Sequence, residues 1–390
     1  MKPLYHLLNS QVKDLQISGI RKISNRIMND PTIINLTLGQ PDFPTPDKIK
    51  RAAQQAIVDN KSSYTHNAGM LPLREAISAY IDKLYGLSYR AEDEIIVTNG
   101  ASEALAITFQ AILEPGAEVI LPAPIYPGYE PLIRLCGGVP VLIDTRATGF
   151  KVNAAMIAAA ITEKTRCVVL PYPSNPIGCT LNEKEVREIA DLLLDKEIFI
   201  VSDEIYSRLT FDGDHFSIAT IPGMKEKSIV INGLSKSHAM TGWRIGFTLA
   251  PAPITAEMIK LHLYQTVCAS TISQYAALEA VTSCMDDEEA MKAEYRKRRD
   301  YVYARLSAMG LACTKPEGAF YAFASIEHLG MPASDFVMNL IDDEKVAVVP
   351  GEAFSQFGQG YIRLSYAASM EKLEEGLNRL ERFVQKCQRS

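Results

Sequence analysis

From residue 94 onward, short runs of apolar, largely β-branched residues alternate with longer stretches of helical periodicity. EIIVT (94–98) precedes the helix-patterned ASEALAITFQAIL, and EVILP (118–122) precedes PGYEPLIRLCGG. RCVVLP (166–171) leads into EKEVREIADLLLDK, followed by EIFIVSDE (197–204), SIVING (228–233) and RIGFTLA (244–250). Strands that are apolar throughout, rather than alternating, predict burial on both faces. Helical spacers between them predict a mainly parallel sheet, so the fold class is α/β.

The pattern changes near residue 285, where DDEEAMKAEYRKRRDYVYARLSAMG begins a long, charged amphipathic helix. A second domain starts there, with YAFASI (321–326), VAVVP (346–350) and YIRLSYA (361–367) as strands and MEKLEEGLNRLERFVQKC as a closing helix. No internal repeat or low-complexity linker separates the two parts, which predicts close packing.

Composition narrows the class. The 390 residues are 47% hydrophobic and 22% charged, ordinary globular values with room for about two to three domains. A net charge of -6 offers no basic stripe for a phosphate backbone, so small molecules are expected as partners rather than nucleic acid. Seven cysteines, scattered and never in a CxxC pair, fit reduced thiols. The start, MKPLYHLLNSQVKDL, lacks a basic segment followed by an apolar core, and no apolar run approaches a membrane span. A cytoplasmic location is expected.

The candidate chemistry sits at strand ends. In SIVINGLSKSHAMTGWRIGF, Lys236 follows a buried-type strand and Arg244 lies eight residues on. An amine to condense with an aldehyde and a guanidinium to pair with a phosphate would serve one cofactor; a lone lysine there is otherwise a solvated charge. In VTNGASEAL a strand passes through Ala101 and Ser102 into a helix, whose N-terminal N–H groups suit an anion. The commonplace alternative is Ser102 as an N-cap. FIVSDEIYSRL ends a strand in Asp203 with Tyr206 close behind. A carboxylate at that edge can keep a pyridine nitrogen protonated, unless it is merely a surface or capping acid.

Three further residues join them. The proline-dense LPYPSNPIG (170–178) fixes a loop from which Asn175 can donate to a ring oxygen, as Tyr206 can, and a cis bond before Pro176 is a hypothesis. Tyr126 stacks on a ring or simply packs. Arg363, inside the otherwise apolar YIRLSYA, suits a bidentate clamp on a carboxylate. Arg21 and Lys22, in ISGIRKIS (17–24), either meet a distal carboxylate or are solvated charges, the commoner case.

GQPDF (39–43), SYTHNAG (63–69), TNGASEAL, PIYPGY, PSNPIG, SDEIY, GLSKSHAMTGWRIG and YIRLSYA occur in the order seen in class I aminotransferases of pyridoxal-phosphate fold type I. This resemblance spans residues 39–367. It implies a seven-stranded, mainly parallel sheet in a large domain over 46–285, with a small α+β domain from 1–45 and 286–390. It also implies a homodimer with the active site at the subunit interface.

Carried over by resemblance, Lys236 is the Schiff-base lysine and proton shuttle, and Asp203 partners the pyridinium. Asn175 and Tyr206 bind the ring hydroxyl and Tyr126 stacks. Ala101, Ser102 and Arg244 hold the phosphate, with Tyr64 reaching it from the neighbouring subunit. Arg363 and the backbone at Gly39 hold the substrate α-carboxylate, Asn175 also contacts the substrate, Tyr206 counts with Lys236 and Asp203 among the catalytic residues, and no metal is called for. Many relatives have a phosphate-touching serine three residues before the lysine; here it is Gly233, and Ser235 stands as its substitute.

The IYPGYEPLIRLCG, LPYPSNPIG and INGLSKSHAMTGWRIGF stretches resemble a Bacillus-type branch associated with N-acetyl-LL-diaminopimelate transamination in lysine synthesis. The expected reaction is ping-pong exchange of an amino group between an amino acid and a 2-oxo acid such as 2-oxoglutarate. A C–S β-lyase using the same ring chemistry, and a non-catalytic regulator on the same fold, remain as alternatives.

Overall fold

The computed structural model describes residues 4–389. The first three residues of the N-terminal start and the last residue of the expected small domain therefore lie outside the described residues.

A seven-stranded sheet runs in the order Ile95–Thr98, Gly246–Leu249, Ser228–Gly233, Phe199–Asp203, Thr165–Leu170, Glu118–Ala123, Val139–Asp144. Gly246–Leu249 alone runs antiparallel to both its neighbours, so the other six strands share one direction. Every residue of Ile95–Thr98 and Ser228–Gly233 is buried. That is what strands covered on both faces require, and why their sequences carry no polar alternation.

Helices supply the cover. Ala101–Ile112 buries Leu105, Ile107 and Phe109 against the sheet. On the other face, Glu183–Leu193 buries Val186, Ile189, Ala190 and Leu193, and its start is fixed by a capping box between Asn182 and Glu185. The long helix spans Met285–Ala308.

Two strand expectations needed correction. VPVLID, not expected as a strand, forms the sheet edge Val139–Asp144 and is only partly buried. VAVVP is not one strand but two: Val346–Ala347 pairs in parallel with Ile34–Asn35, and Val349–Pro350 pairs with Tyr361–Ser365. Tyr361–Ser365 also pairs with Tyr321–Ser325, giving a three-stranded antiparallel sheet. The split delivers the N-terminal segment to the C-terminal part of the chain.

All seven cysteines are free. Among the described residues no helix is long and apolar enough to cross a membrane, and no cluster of side chains suits a metal ion.

Candidate active site

Six strands pointing one way put six carboxyl ends on one rim, where open sheets bind ligands. Ala101 and Ser102 follow Ile95–Thr98, Tyr126 and Tyr129 follow Glu118–Ala123, and Asn175 follows Thr165–Leu170. Asp203 ends its own strand, and Ser235 and Lys236 follow Ser228–Gly233. The antiparallel strand starts at this same rim, so Arg244, which leads into it, faces residues that leave the others. All of them line a cleft of about 500 Å³, together with Tyr206, Gly39 and Arg363. Tyr64 is not among the lining residues and is 82% exposed on the surface.

A larger open groove of about 950 Å³ lies where the strands begin, lined by side chains such as Lys164, Glu163, Lys196 and Glu197. Its Lys227 is occupied in donating to the carbonyls of Leu193, Leu194 and Lys196. No acid, base and nucleophile converge there as they do in the cleft.

Lys236 Nζ donates to the Gly39 carbonyl over 2.5 Å and lies 5.7 Å from the centre of the Tyr206 ring. Burial, followed by the charges of Arg244 and Arg363, pushes its amine down to about 8, with Asp203 opposing. An amine so depressed is neutral in about a tenth of molecules at pH 7, far more than an ordinary lysine, and that fraction is nucleophilic.

Asp203 is buried, which raises its carboxyl above the ordinary range. Tyr129 Oη donates to Oδ2 at 2.6 Å and the Ile205 N–H to Oδ1 at 3.3 Å, both favouring the ionised form. Its neighbour Glu204 points to the other side of the strand, where Ser202, Ser217 and His215 surround it. Only one member of the DE pair reaches the cleft.

Arg363 is 1% exposed, and among the described residues no carboxylate pairs with it. Its Nη1 donates to Asn175 Oδ1 at 3.0 Å and Nη2 to the Thr37 carbonyl at 2.6 Å, while Nε is buried without a partner. The guanidinium lies 4.5 Å from the Tyr321 ring centre and 4.9 Å from that of Phe354. Burial lowers its basicity. A buried arginine held only by neutral groups is poised for an anion. Because Asn175 Oδ1 is spent on Arg363, its amide N–H groups are left to donate elsewhere. Tyr206 Oη pairs with Tyr321 Oη at 2.7 Å, and Tyr126 meets Tyr129 edge to face.

At the other end, Ser102 is not the N-cap: Gly100 is, and it supplies no side-chain capping bond. Ser102 instead occupies the first helical turn, where N–H groups lack intrahelical acceptors. Gly100 has φ +77°, and a Cβ there would collide with the Arg244 guanidinium. Among the described residues Arg244, itself at φ 55°, donates only to the carbonyls of Thr241 and Asn99. A helix start, a hydroxyl and an arginine without an acid make an anion cradle. The peptide bond before Pro176 is cis, as are those before Pro124 and Pro173.

Tyr129 and Tyr321 were not singled out in the sequence. Tyr129 carried a signal, since its i+3 spacing from Tyr126 puts both on one turn; Tyr321 adjoins Phe320 in an apolar strand and read as packing.

The cleft thus fits a phosphorylated pyridine aldehyde: an anion cradle at one end, an acid for the ring nitrogen below, a neutral amine for the aldehyde, and a second anion site at Arg363. It is a site for amine-to-carbonyl exchange on a carboxylate-bearing substrate. The family model "Aminotransferase class I and II" matches residues 31–380, and the chain belongs to that family. It is an aminotransferase whose cofactor is pyridoxal 5′-phosphate.

It is 56% identical over 98% of its length to a "Probable N-acetyl-LL-diaminopimelate aminotransferase" of Bacillus subtilis, covering 96% of that protein. It is 39% identical to an aspartate aminotransferase of Pyrococcus abyssi, covering 94% of this chain and 95% of the relative. Among solved structures, Thermus thermophilus aspartate aminotransferase with maleate superposes with a TM-score of 0.93 at 34% identity, covering 98% of this chain and all of that one. Nothing in these likenesses supports the lyase or the regulator alternative.

Proposed function

We propose that this aminotransferase works by ping-pong exchange with 2-oxoglutarate and glutamate as one substrate pair and N-acetyl-LL-diaminopimelate as the product of the other, in lysine synthesis. The observation that carries the reading is Lys236: an amine brought to about 8 beside a buried acid and between two arginines that have no acid of their own. The N-acetyl-LL-diaminopimelate pair is supported by the name of the 56%-identical relative.

When bound, the cofactor supplies an electron sink for charge developing at the substrate's Cα. Asp203 holds the proton on the ring nitrogen, and Tyr129 keeps Asp203 ionised and oriented. Asn175 and Tyr206 donate to the ring oxygen, and Tyr126 covers one ring face. Ala101, Ser102, Ser235 and Arg244 hold the phosphate. Arg363 and the Gly39 segment would fix the α-carboxylate, placing the Cα proton where Lys236 would carry it.

The chain is proposed to act as a homodimer, Tyr64 reaching the partner's phosphate; its 82% exposure supports that placement. The division into 46–285 and 1–45 with 286–390 is supported by the seven-stranded sheet falling within the former. A cytoplasmic location is proposed on the absence of a membrane-crossing helix among the described residues.

The test is a half-reaction: glutamate should bleach the visible absorption of the lysine-bound cofactor, and 2-oxoglutarate should restore it. Thiol and pyruvate release from cystathionine without that reversible bleaching would overturn the reading. Lys236→Ala should abolish the covalent visible band while the far-ultraviolet dichroism stays unchanged.

A further inference from the structure

Tyr206 and Tyr321 both line the cleft, with their hydroxyl oxygens 2.7 Å apart. Among the described residues neither hydroxyl has another hydrogen-bond partner. Both tyrosines are buried.

The two come from different sheets. Tyr206 follows the large-sheet strand Phe199–Asp203, and Tyr321 opens the strand Tyr321–Ser325 of the three-stranded sheet. Backbone bonds stitch the adjoining segments together: the Phe211 N–H donates to the Glu317 carbonyl at 2.8 Å and the Ala319 N–H to the Leu209 carbonyl at 3.0 Å. Gly318 admits that contact, since a Cβ there would lie 2.7 Å from Pro173 Cβ and 2.9 Å from the Leu209 carbonyl oxygen. The Tyr321 hydroxyl also abuts Gly39, where a Cβ would come within 2.9 Å of it, and the Arg363 guanidinium lies over its ring. A phenol so enclosed stays on Tyr206.

Geometry alone lets either hydroxyl donate. A phenol has one hydrogen, and that of Tyr206 goes to the ring oxygen of the cofactor, which leaves Tyr321 as the donor within the pair. Burial raises the Tyr321 hydroxyl above the ordinary range and the Arg363 charge opposes that rise, which suits a donor. We infer that Tyr321 is a positioning residue that donates to Tyr206 and so orients and strengthens the hydrogen bond Tyr206 gives the ring oxygen. The inference rests on the aminotransferase site described above and adds to it a residue from the second sheet, acting through Tyr206.

The test is a pH titration of the holoenzyme's visible band. That band reports a proton shared between the Lys236 nitrogen and the ring oxygen, and a hydrogen bond donated to the oxygen favours the form that has lost it. Removing a donor therefore raises the midpoint. Tyr206→Phe should raise it by about one pH unit, the size of one lost charge-assisted bond. Tyr321→Phe should raise it by about a third as much, as cooperative strengthening along a chain of hydrogen bonds requires. Added to Tyr206→Phe, it should bring no further rise. Tyr366→Phe, which removes a buried hydroxyl donating to the Ala319 carbonyl at 3.4 Å, should leave the midpoint in place. An unmoved midpoint in Tyr321→Phe, an undiminished rise on the Tyr206→Phe background, or an equal rise in Tyr366→Phe would overturn the inference. The titration needs bound cofactor but no turnover, so a failed glutamate half-reaction would count against the proposed function alone.

Discussion

Tyr129, the first residue of a helix, donates its phenolic hydrogen over 2.6 Å to Asp203, the last residue of a strand. Both side chains are buried, so the bond operates where burial alone would favour a protonated carboxyl. Tyr129→Phe removes a donor to the ionised form and lets the Asp203 carboxyl rise further. The acid limb of kcat/KM with glutamate should move to higher pH, with a loss of about tenfold at neutrality. Asp203→Asn should cost about a hundred- to a thousandfold. An acid limb unmoved in Tyr129→Phe would show that the hydroxyl does not tune the acid.

Arg363 makes two hydrogen bonds to fixed neutral acceptors and lies against two aromatic rings, a geometry matched to a planar fork. Lysine keeps the charge but not the fork. Arg363→Lys should raise KM for every amino donor about tenfold or more while cofactor absorbance persists, which steady-state kinetics on mono- and dicarboxylic donors will test.

The depressed amine of Lys236 gives a pH signature in the cofactor-free protein. Only the neutral amine attacks an aldehyde, and its fraction grows as pH rises through about 8. The rate of capture of added pyridoxal phosphate should therefore climb to a plateau just above that value. A rate still climbing steeply at pH 10 would mean an ordinary lysine.

Gly100→Ala places a methyl group against the Arg244 guanidinium at a backbone angle of +77°. The conformation alone costs about 1–3 kcal/mol, and relief requires Arg244 to move. Cofactor retention during dialysis should fall about tenfold or more, with a smaller loss in thermal midpoint. Retention equal to wild type would remove Gly100 from the cradle.

The parts legible in the sequence were those that burial makes uniform. Strands such as Ser228–Gly233 are apolar because both faces are covered, and the residues just beyond them stood out as polar groups in improbable places. Val139–Asp144 escaped because an edge strand is only half covered and dilutes the pattern. The reversal of Gly246–Leu249 is invisible because direction leaves no trace in composition. Tyr129 and Tyr321 escaped for the opposite reason: a buried tyrosine looks like packing until its hydroxyl is found on Asp203 or Tyr206. Arg21 and Lys22 differ by one position in sequence, yet only the helix register decides which one reaches the cleft.

The reversed strand has a dynamic consequence. Lys236 and Arg244 lie on one excursion whose two ends, Gly233 and Gly246, are register partners in the sheet. The amine and the phosphate anchor are thus tied at a common root, and fraying cannot separate them without unzipping a buried pair of strands. Amide hydrogens at that root should exchange only with global unfolding, which would keep the spacing of the two cofactor contacts constant through every smaller fluctuation.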